Sequence, residues 1–231
     1  IMSNPPYSAG QTSANDMSAN VKYRNLDNSI REKYGKYSSA TRQGSLYDSY
    51  IRAFRWATER ISENGVIGFV TNASWIEAKA MDGFRNSIFN EFNKIYVLNL
   101  RGNARTSGEE RRKEKGNVFG EGTRTPVAIT ILVKNSKLKK KGEIYYHDIG
   151  DYLDRKQKLN IVRNFKSIKG IKTLNKFKMI TPDEENDWIN KGLKVFKKFN
   201  LIGTKKPKEE IAIFNKYSGG LKTSRDTWNY N

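Results

Sequence analysis

The sequence predicts an α/β fold built on a mostly parallel sheet. Three short apolar segments, at residues 66–70, 95–100 and 127–133, have the length and the β-branched content of buried strands. Segments with helical spacing precede the first of these strands and separate it from the second. Because strands that alternate with helices tend to pair in parallel, this order favours an α/β sheet.

The chain begins with a rigid corner, Asn4-Pro5-Pro6-Tyr7. Proline fixes its own φ and biases the preceding residue towards extended backbone, so two prolines in succession make a stiff, non-helical corner. Asn4 adds an amide and Tyr7 adds a flat ring, which together suit the binding of a base that carries an amino group. A Pro-Pro pair is most often a plain turn, so the four residues alone leave both interpretations open.

Two helices are predicted after the corner. Residues 8–44 are polar and should form a long loop, with a short helix near Leu26–Tyr34. Ser45 and Asp48 have capping-box spacing, so Ser45 should open the first long helix, which Asn64-Gly65 ends. Its apolar positions are Tyr47, Tyr50, Ile51, Phe54, Ala57 and Ile61. The second helix should span about Met81 to Phe92.

A charged, Gly-rich loop, Arg101–Arg124, separates the second and third strands. Since only a loop connects these strands, we expect them to pair as an antiparallel hairpin at the edge of the sheet. A ligand-binding corner at the carboxyl end of a strand agrees with the general rule for open α/β sheets.

The remainder of the chain is basic and predicts a smaller α+β segment. Lys137–Lys141 has the composition of a linker, and a strand is expected at Ile144–His147. Thr181-Pro182 is a strong helix start, because Glu184 follows the N-cap at the capping-box position. The apolar segment Ile211–Phe214 stands alone in a polar stretch.

The composition indicates one class of partner and excludes several kinds of functional site. The 231 residues carry a formal net charge of +19, which indicates a polyanionic partner. The chain has no Cys and one His, so it predicts no disulfide, no thiolate nucleophile and no metal site. No apolar run has the length of a membrane span and no signal peptide is visible, so a cytoplasmic protein is expected.

Several segments carry a resemblance to a known family. The corner, placed before an α/β chain with a basic region downstream, resembles the gamma class of N6-adenine DNA methyltransferases. Longer segments look like type ISP restriction–modification enzymes, and they are more specific than the corner. These segments are residues 4–11, 46–50, 52–57, 96–107, 124–135 and, in the tail, 214–217, 222–223 and 225–231.

The resemblance implies an architecture. Residues 1–136 would be the C-terminal half of a seven-stranded Rossmann-like methyltransferase sheet, and residues 137–231 a linker and the start of the DNA target-recognition domain. Nuclease and helicase-like domains would belong to the same polypeptide. The Gly-rich motif for S-adenosylmethionine lies upstream of the corner in this class, and Gly116–Gly122 lies in the wrong context for it. We therefore expect the chain by itself to bind the cofactor poorly and to be inactive.

The resemblance also implies roles for residues. Asn4 and the Pro5 carbonyl would accept hydrogen bonds from the amino group of a flipped adenine, Pro6 would stiffen the corner, and Tyr7 would stack on the base. Phe119 is the candidate for a second stacking ring. The candidates for contacts with double-stranded DNA are Arg101, Arg105, Arg111, Arg112 and Arg124.

Two alternatives remain at this stage. The same corner occurs in enzymes that methylate RNA guanine or a protein glutamine, since each of these substrates presents an sp² amino nitrogen. The net charge alone is equally consistent with a basic, non-catalytic DNA-binding module. The Lys-rich segment Lys191–Lys198 could contact DNA or simply face solvent, whereas His147 is expected to be a strand residue and Trp228 a core residue.

Overall fold

The computed structural model describes residues 1–7, 23–120, 122–189, 199–203 and 211–214. The chain divides into two compact units, Ile1–Lys191 and Gly192–Asn231. In the described part of the second unit, β7 (Leu201–Gly203) pairs in parallel with β8 (Ala212–Phe214). The predicted apolar segment at 211–214 is therefore a strand.

The first unit is built on a six-stranded sheet of order β1-β2-β4-β3-β5-β6. Its strands are β1 (Met2–Ser3), β2 (Asn64–Asn72), β3 (Lys94–Arg101), β4 (Val127–Asn135), β5 (Glu143–Asp148) and β6 (Lys178–Ile180). Strands β1, β2, β3 and β5 run in one direction, and β4 and β6 run against them. The strands predicted at 66–70, 95–100, 127–133 and 144–147 are all confirmed.

Helices cover both faces of this sheet. On one face, α1 (Arg24–Lys33), α2 (Ser49–Arg60) and α3 (Asp82–Glu91) share a core with Phe69 and Val97. On the other face, α5 (Arg155–Phe165) and α6 (Ile168–Thr173) share a core with Leu98 and Val127. Consecutive residues of β3 thus point to opposite cores, which explains why its apolar run is continuous.

The predicted hairpin exists, but its predicted place at the sheet edge is wrong. β4 lies in the interior, because it pairs with β3 on one side and along its whole length with β2 on the other. The loop between β3 and β4 also contains a short helix, α4 (Gly108–Lys113). A short connection between two strands predicts that these two strands pair with each other. It does not predict which strand pairs with the other side of an interior strand, because that pairing depends on tertiary packing.

The helices of the structure differ from the predicted ones at three places. Ser45 lies in a 3₁₀ turn, Gly44–Tyr47, and Asp48 is the N-cap of α2. The described residues from Thr181 to 189 contain no helix, and the rest of that predicted helix lies outside the described residues. Conversely, α5 was not predicted, although Asp154 and Gln157 form a capping box at its start.

The predicted linker is a connection within the sheet. Residues 137–142 join β4 to β5, and the Asn93 side-chain amide donates to the carbonyls of Leu138 (2.8 Å) and Lys140 (2.9 Å). The first compact unit extends to Lys191. The described helices include none that is long and apolar enough to cross a membrane.

Candidate functional site

The corner, residues 4–7, lies at the carboxyl edge of the sheet. β1 pairs in parallel with β2, with Met2 opposite Gly68 and Ser3 opposite Phe69. The Ile1 amine donates to the Val66 carbonyl (2.8 Å), which anchors the beginning of the strand. Because β2 and β3 run in the same direction as β1, all three strands end at this edge. Side chains at this edge of an α/β sheet are placed to bind ligands.

The corner combines buried and exposed groups. Pro5 is buried, Asn4 and Pro6 are exposed, and Tyr7 is half-buried. The Tyr7 hydroxyl donates to Oδ1 of Asn4 (3.4 Å), and its ring packs edge-to-face on Tyr50, with ring centroids 6.2 Å apart. Burial raises the pKa of Tyr7 to about 12, so the phenol is neutral near pH 7. The structure thus holds a neutral ring beside an exposed amide.

The loop between β3 and β4, residues 102–126, lies at the same edge. Its backbone is fixed by two side chains: the Glu114 carboxylate accepts from the amides of Gly102 (2.7 Å) and Asn103 (2.9 Å), and the Asn117 amide donates to the carbonyls of Gly102 (3.1 Å) and Thr125 (2.9 Å). Neighbouring strands are about 4.8 Å apart, so the start of β4 lies about 10 Å from β1 across the sheet.

Phe119 belongs to this loop and is 45% exposed. Its amide donates to Oδ1 of Asn117 (3.0 Å), while its neighbour Val118 is buried in the core below. The loop therefore presents Phe119 outward from a fixed backbone. A role in base stacking stays a prediction for this residue.

The five predicted DNA-binding arginines differ in their contacts. Arg101 lies at a β-bulge with φ +56°, and its guanidinium binds Asp148 (2.7 Å) and Asp151. Because two carboxylates hold it, Arg101 has a structural use at the end of β3. Arg112 pairs with Glu109 (3.3 Å) at the surface. Within the described part of the chain, no carboxylate pairs with the remaining three, Arg105, Arg111 and Arg124.

Sequence reasoning missed Lys158, which is fully buried beneath this loop. Its Nζ donates to the Gly116 carbonyl (2.7 Å), and burial lowers its pKa to about 8. Helical spacing places Lys158 on the same face of α5 as Ile161, Val162 and Phe165. A lysine in the apolar stripe of an amphipathic helix is the signal that could have revealed it.

The remaining basic and aromatic candidates are His147, Lys191–Lys198 and Trp228. His147 is a strand residue, as predicted: it lies in β5, its Nδ1 is 3.0 Å from the Lys176 carbonyl oxygen, and its ring packs on Phe165. Burial lowers its pKa. Lys191–Lys198 and Trp228 lie outside the described residues.

The glycines of residues 116–122 do not lie in the context of a nucleotide-binding turn. Gly116, Gly120 and Gly122 lie in the loop between two antiparallel neighbours, β3 and β4, whereas a nucleotide cradle needs a strand, a tight Gly-rich turn and a helix. A Cβ at Gly116 would lie 2.7 Å from the backbone nitrogen of Arg155, so this glycine allows close packing against α5.

Comparisons with known proteins agree with this geometry. Residues 1–105 match the family model of the Eco57I restriction-modification methylase. Two solved structures are similar over most of the chain. A nuclease-deletion mutant of the type ISP restriction-modification enzyme LlaGI, in complex with a DNA substrate mimic, is 46% identical, with TM-score 0.81, over 87% of this chain and 16% of that chain. The ATP-dependent type ISP enzyme LlaBIII, bound to DNA, is 44% identical, with TM-score 0.89, over 99% of this chain and 15% of that chain.

A third structure, a DrdV–DNA complex, is 35% identical, with TM-score 0.84, over 99% of this chain and 22% of that chain. No curated protein matches the sequence. The chain thus spans less than a quarter of each of these three proteins. Its sequence identity to LlaGI and LlaBIII reaches 44–46% over most of its length, so the chain is similar to one part of the type ISP restriction-modification enzymes, and residues 1–105 match a restriction-modification methylase family.

Proposed function

We propose that this chain forms the acceptor side of a DNA methyltransferase that modifies the N6 amino group of adenine. The observation that supports this most directly is the position of the corner: Asn4 and Tyr7 emerge together where β1 ends, at the carboxyl edge of the sheet. The family match supplies the reaction class, and the corner supplies the chemistry for an amino group on a planar base.

In this proposal, Asn4 and the Pro5 carbonyl bind the amino group of the flipped adenine. Both groups are acceptors, and the amino nitrogen carries two N–H groups, each of which can donate a hydrogen bond. The nitrogen becomes positive while it is methylated, so these hydrogen bonds strengthen towards the transition state and lower the barrier. No base is needed before the transfer, because the proton leaves after the nitrogen has become cationic.

Tyr7 contributes its ring to the bound base. Since its pKa is about 12, the ring stays neutral, and its edge contact with Tyr50 limits its rotation. Stacking of a base on an aromatic side chain contributes roughly 1–3 kcal/mol. Phe119 is proposed as the second ring, on the opposite side of the base.

S-adenosylmethionine is the proposed methyl donor, as the family implies. It supplies an electrophilic methyl group when bound. The residues described in this chain hold and orient the acceptor, and the donor side is assigned to other parts of the polypeptide. Residues 1–136 are proposed to belong to the methyltransferase part, and residues 137–231 to lead into the target-recognition domain.

Double-stranded DNA is the proposed substrate. LlaGI and LlaBIII were both solved with DNA or a DNA mimic, and the present chain carries a net charge of +19. This positive charge attracts a polyanion such as DNA, whereas a methyltransferase that acts on a protein glutamine does not need a basic surface. The remainder of the same polypeptide, with helicase-like and nuclease domains, is the second proposed partner.

The test is Asn4→Ala in the polypeptide that carries this chain. Transfer of a labelled methyl group to DNA should fall by at least a hundredfold, while DNA affinity stays within about twofold, because Asn4 acts on the reacting atom. Asn25→Ala, a surface change on α1, is the matched control and should keep full activity. Hydrolysis of the product should give N6-methyladenine. Unchanged methylation in the Asn4 variant, or label found only in RNA or protein, would falsify the proposal.

A further inference from the structure

A cavity of about 600 Å³ opens beneath the loop between β3 and β4. It is lined by Gly102, Ala104, Arg111, Asn117, Gly120 and Arg155. Arg111 comes from α4 and Arg155 is the first residue of α5, so the two guanidinium groups reach the cavity from different segments. The described lining residues include no carboxylate, so the cavity is positively charged.

Two described carboxylates that are next to lining residues, those of Glu114 and Asp154, accept hydrogen bonds from backbone amides. Glu114 accepts hydrogen bonds from the amides of Gly102 and Asn103. Asp154 accepts from the amide of Gln157 (2.9 Å) as the N-cap of α5. Across the described residues, neither Arg111 nor Arg155 forms an ion pair, and the Nε of Arg155 donates to the Val118 carbonyl (3.0 Å). Both arginines thus retain guanidinium N–H donors for a ligand.

Hydrogen bonds and close packing fix the walls of the cavity. Asn117 bridges both ends of the loop through the carbonyls of Gly102 and Thr125. Gly116 packs so closely on α5 that a Cβ would lie 2.7 Å from the backbone nitrogen of Arg155. The buried ammonium of Lys158 holds the Gly116 carbonyl from below. These contacts hold Gly116 and Asn117 of the loop in place, with Gly116 packed against the start of α5, where Arg155 lies.

We propose that this cavity binds one backbone phosphate of the DNA substrate, through Arg111 and Arg155. Lys158 is a positioning residue that holds the loop to α5. This inference rests on the proposed function, which supplies DNA as the substrate. Arginine suits the task because its planar fork donates two parallel hydrogen bonds to phosphate oxygens. The cavity lies at the edge of the sheet that also carries the corner, so a phosphate bound here would fix the strand that presents the flipped base.

The test replaces both arginines in the polypeptide that carries this chain, as Arg111→Gln together with Arg155→Gln. DNA affinity should fall equally for cognate and non-cognate duplexes, and the slope of log Kd against log salt should decrease by about 0.9, as expected for one lost phosphate contact. Arg163→Gln, an exposed change on the same helix, is the matched control and should leave the slope unchanged.

A second measurement identifies the phosphate. Methylphosphonate linkages are neutral, so placing one at each position near the target adenine in turn should reveal a position that weakens binding to the parent protein. The same substitution should have no further effect on the double variant, since the contact is already lost. If every linkage weakens both proteins equally, or if inorganic phosphate rather than DNA loses affinity in the variant, the cavity does not hold a DNA phosphate.

Failure of this inference differs from failure of the proposed function. The double variant should show its defect in DNA affinity and in the salt slope, because the cavity positions the strand and does not touch the amino group. Asn4→Ala should show the opposite pattern, with methylation lost and an unchanged salt slope. A double variant with normal affinity and slope would overturn the phosphate site while leaving the adenine site intact.

Discussion

Arg85→Met should release residues 183–189 from the surface of the first unit. Arg85 on α3 is fully buried, and its guanidinium donates to the carbonyls of Asn186 (2.7 Å), Ala78 (2.7 Å) and Trp75 (3.0 Å) and to the Asp187 carboxylate (2.5 Å). Residues 183–189 have no regular secondary structure, and Arg85 binds them at two points, the Asn186 carbonyl and the Asp187 carboxylate.

The free-energy cost of Arg85→Met follows from the buried charge that loses Arg85 as its partner. Removing one partner of a buried ion pair costs about 3–5 kcal/mol, because the other charge stays buried and unpaired. In Arg85→Met that charge is Asp187, whose side chain is 9% exposed and which would keep a longer ion pair with the exposed Lys79 (3.8 Å). The packing of Trp188 against Trp75, with ring centroids 5.3 Å apart, remains possible. We therefore expect local opening of this segment to become about a hundred- to a few-thousand-fold more frequent, with the rest of the sheet unaffected.

Hydrogen exchange measured by mass spectrometry in the intact polypeptide would test this. The Asp187 amide, which donates to Oδ1 of Asp183 (2.9 Å), should lose its protection in Arg85→Met, whereas amides of β3 should keep theirs. Lys79→Met is the matched control: Lys79 also reaches Asp187 (3.8 Å) and Glu185 (2.9 Å), but its side chain is 73% exposed, so its removal should cost at most about 1 kcal/mol. Equal protection in the parent and in Arg85→Met would refute the reasoning.

Two further predictions concern the site. Tyr7→Phe should keep methylation within about threefold, since the ring and its contact with Tyr50 remain, whereas Tyr7→Ala should weaken productive DNA binding by roughly 5- to 150-fold, the equivalent of 1–3 kcal/mol of stacking. Lys158→Met should stabilise the fold near pH 7 relative to the parent, as measured by thermal melting. The Lys158 pKa is lowered from 10.5 to about 8, so the unfolded chain binds more protons between these values and the parent gains up to about 3 kcal/mol as the pH rises through them. The advantage of the variant should therefore shrink by pH 10; an advantage that does not change with pH would contradict a buried ammonium.

The strands could be predicted from the sequence because their signal is local. Continuous apolar, β-branched runs identified β2, β3 and β4, and the alternation of β3 between two cores explains why its run has no polar gaps. The order of the strands could not be predicted in the same way. The pairing of β4 with β2 joins segments that are far apart in the chain, and no local pattern specifies it.

The helix predicted at Thr181 shows how tertiary contacts override a local signal. The N-cap, the following proline and Glu184 all favour a helix. In the structure, Asp183 instead accepts hydrogen bonds from the amides of Glu185 (3.0 Å) and Asp187 (2.9 Å), which bends the chain into a turn. That turn brings Asp187 to Arg85. The turn thereby satisfies Arg85 through the Asn186 carbonyl and the Asp187 carboxylate and packs Trp188 on Trp75, whereas a helix cap contributes about 1 kcal/mol.

The same limitation applies to charge. Sequence reasoning treated the arginines of residues 101–124 as one basic cluster, but Arg101 is held by Asp148 and Asp151, which lie almost fifty residues later. Lys158 is buried and bonded to the Gly116 carbonyl, so it contributes little to the surface. The net charge of +19 therefore overstates the positive charge that is exposed for contact with DNA. Arg101 binds Asp148 and Asp151, and Lys158 binds the Gly116 carbonyl, so both cations hold backbone in place. The proposed phosphate site would instead use Arg111 of the loop and Arg155 of α5. Rigid placement matters here because an arginine that is already ordered loses less entropy on binding phosphate.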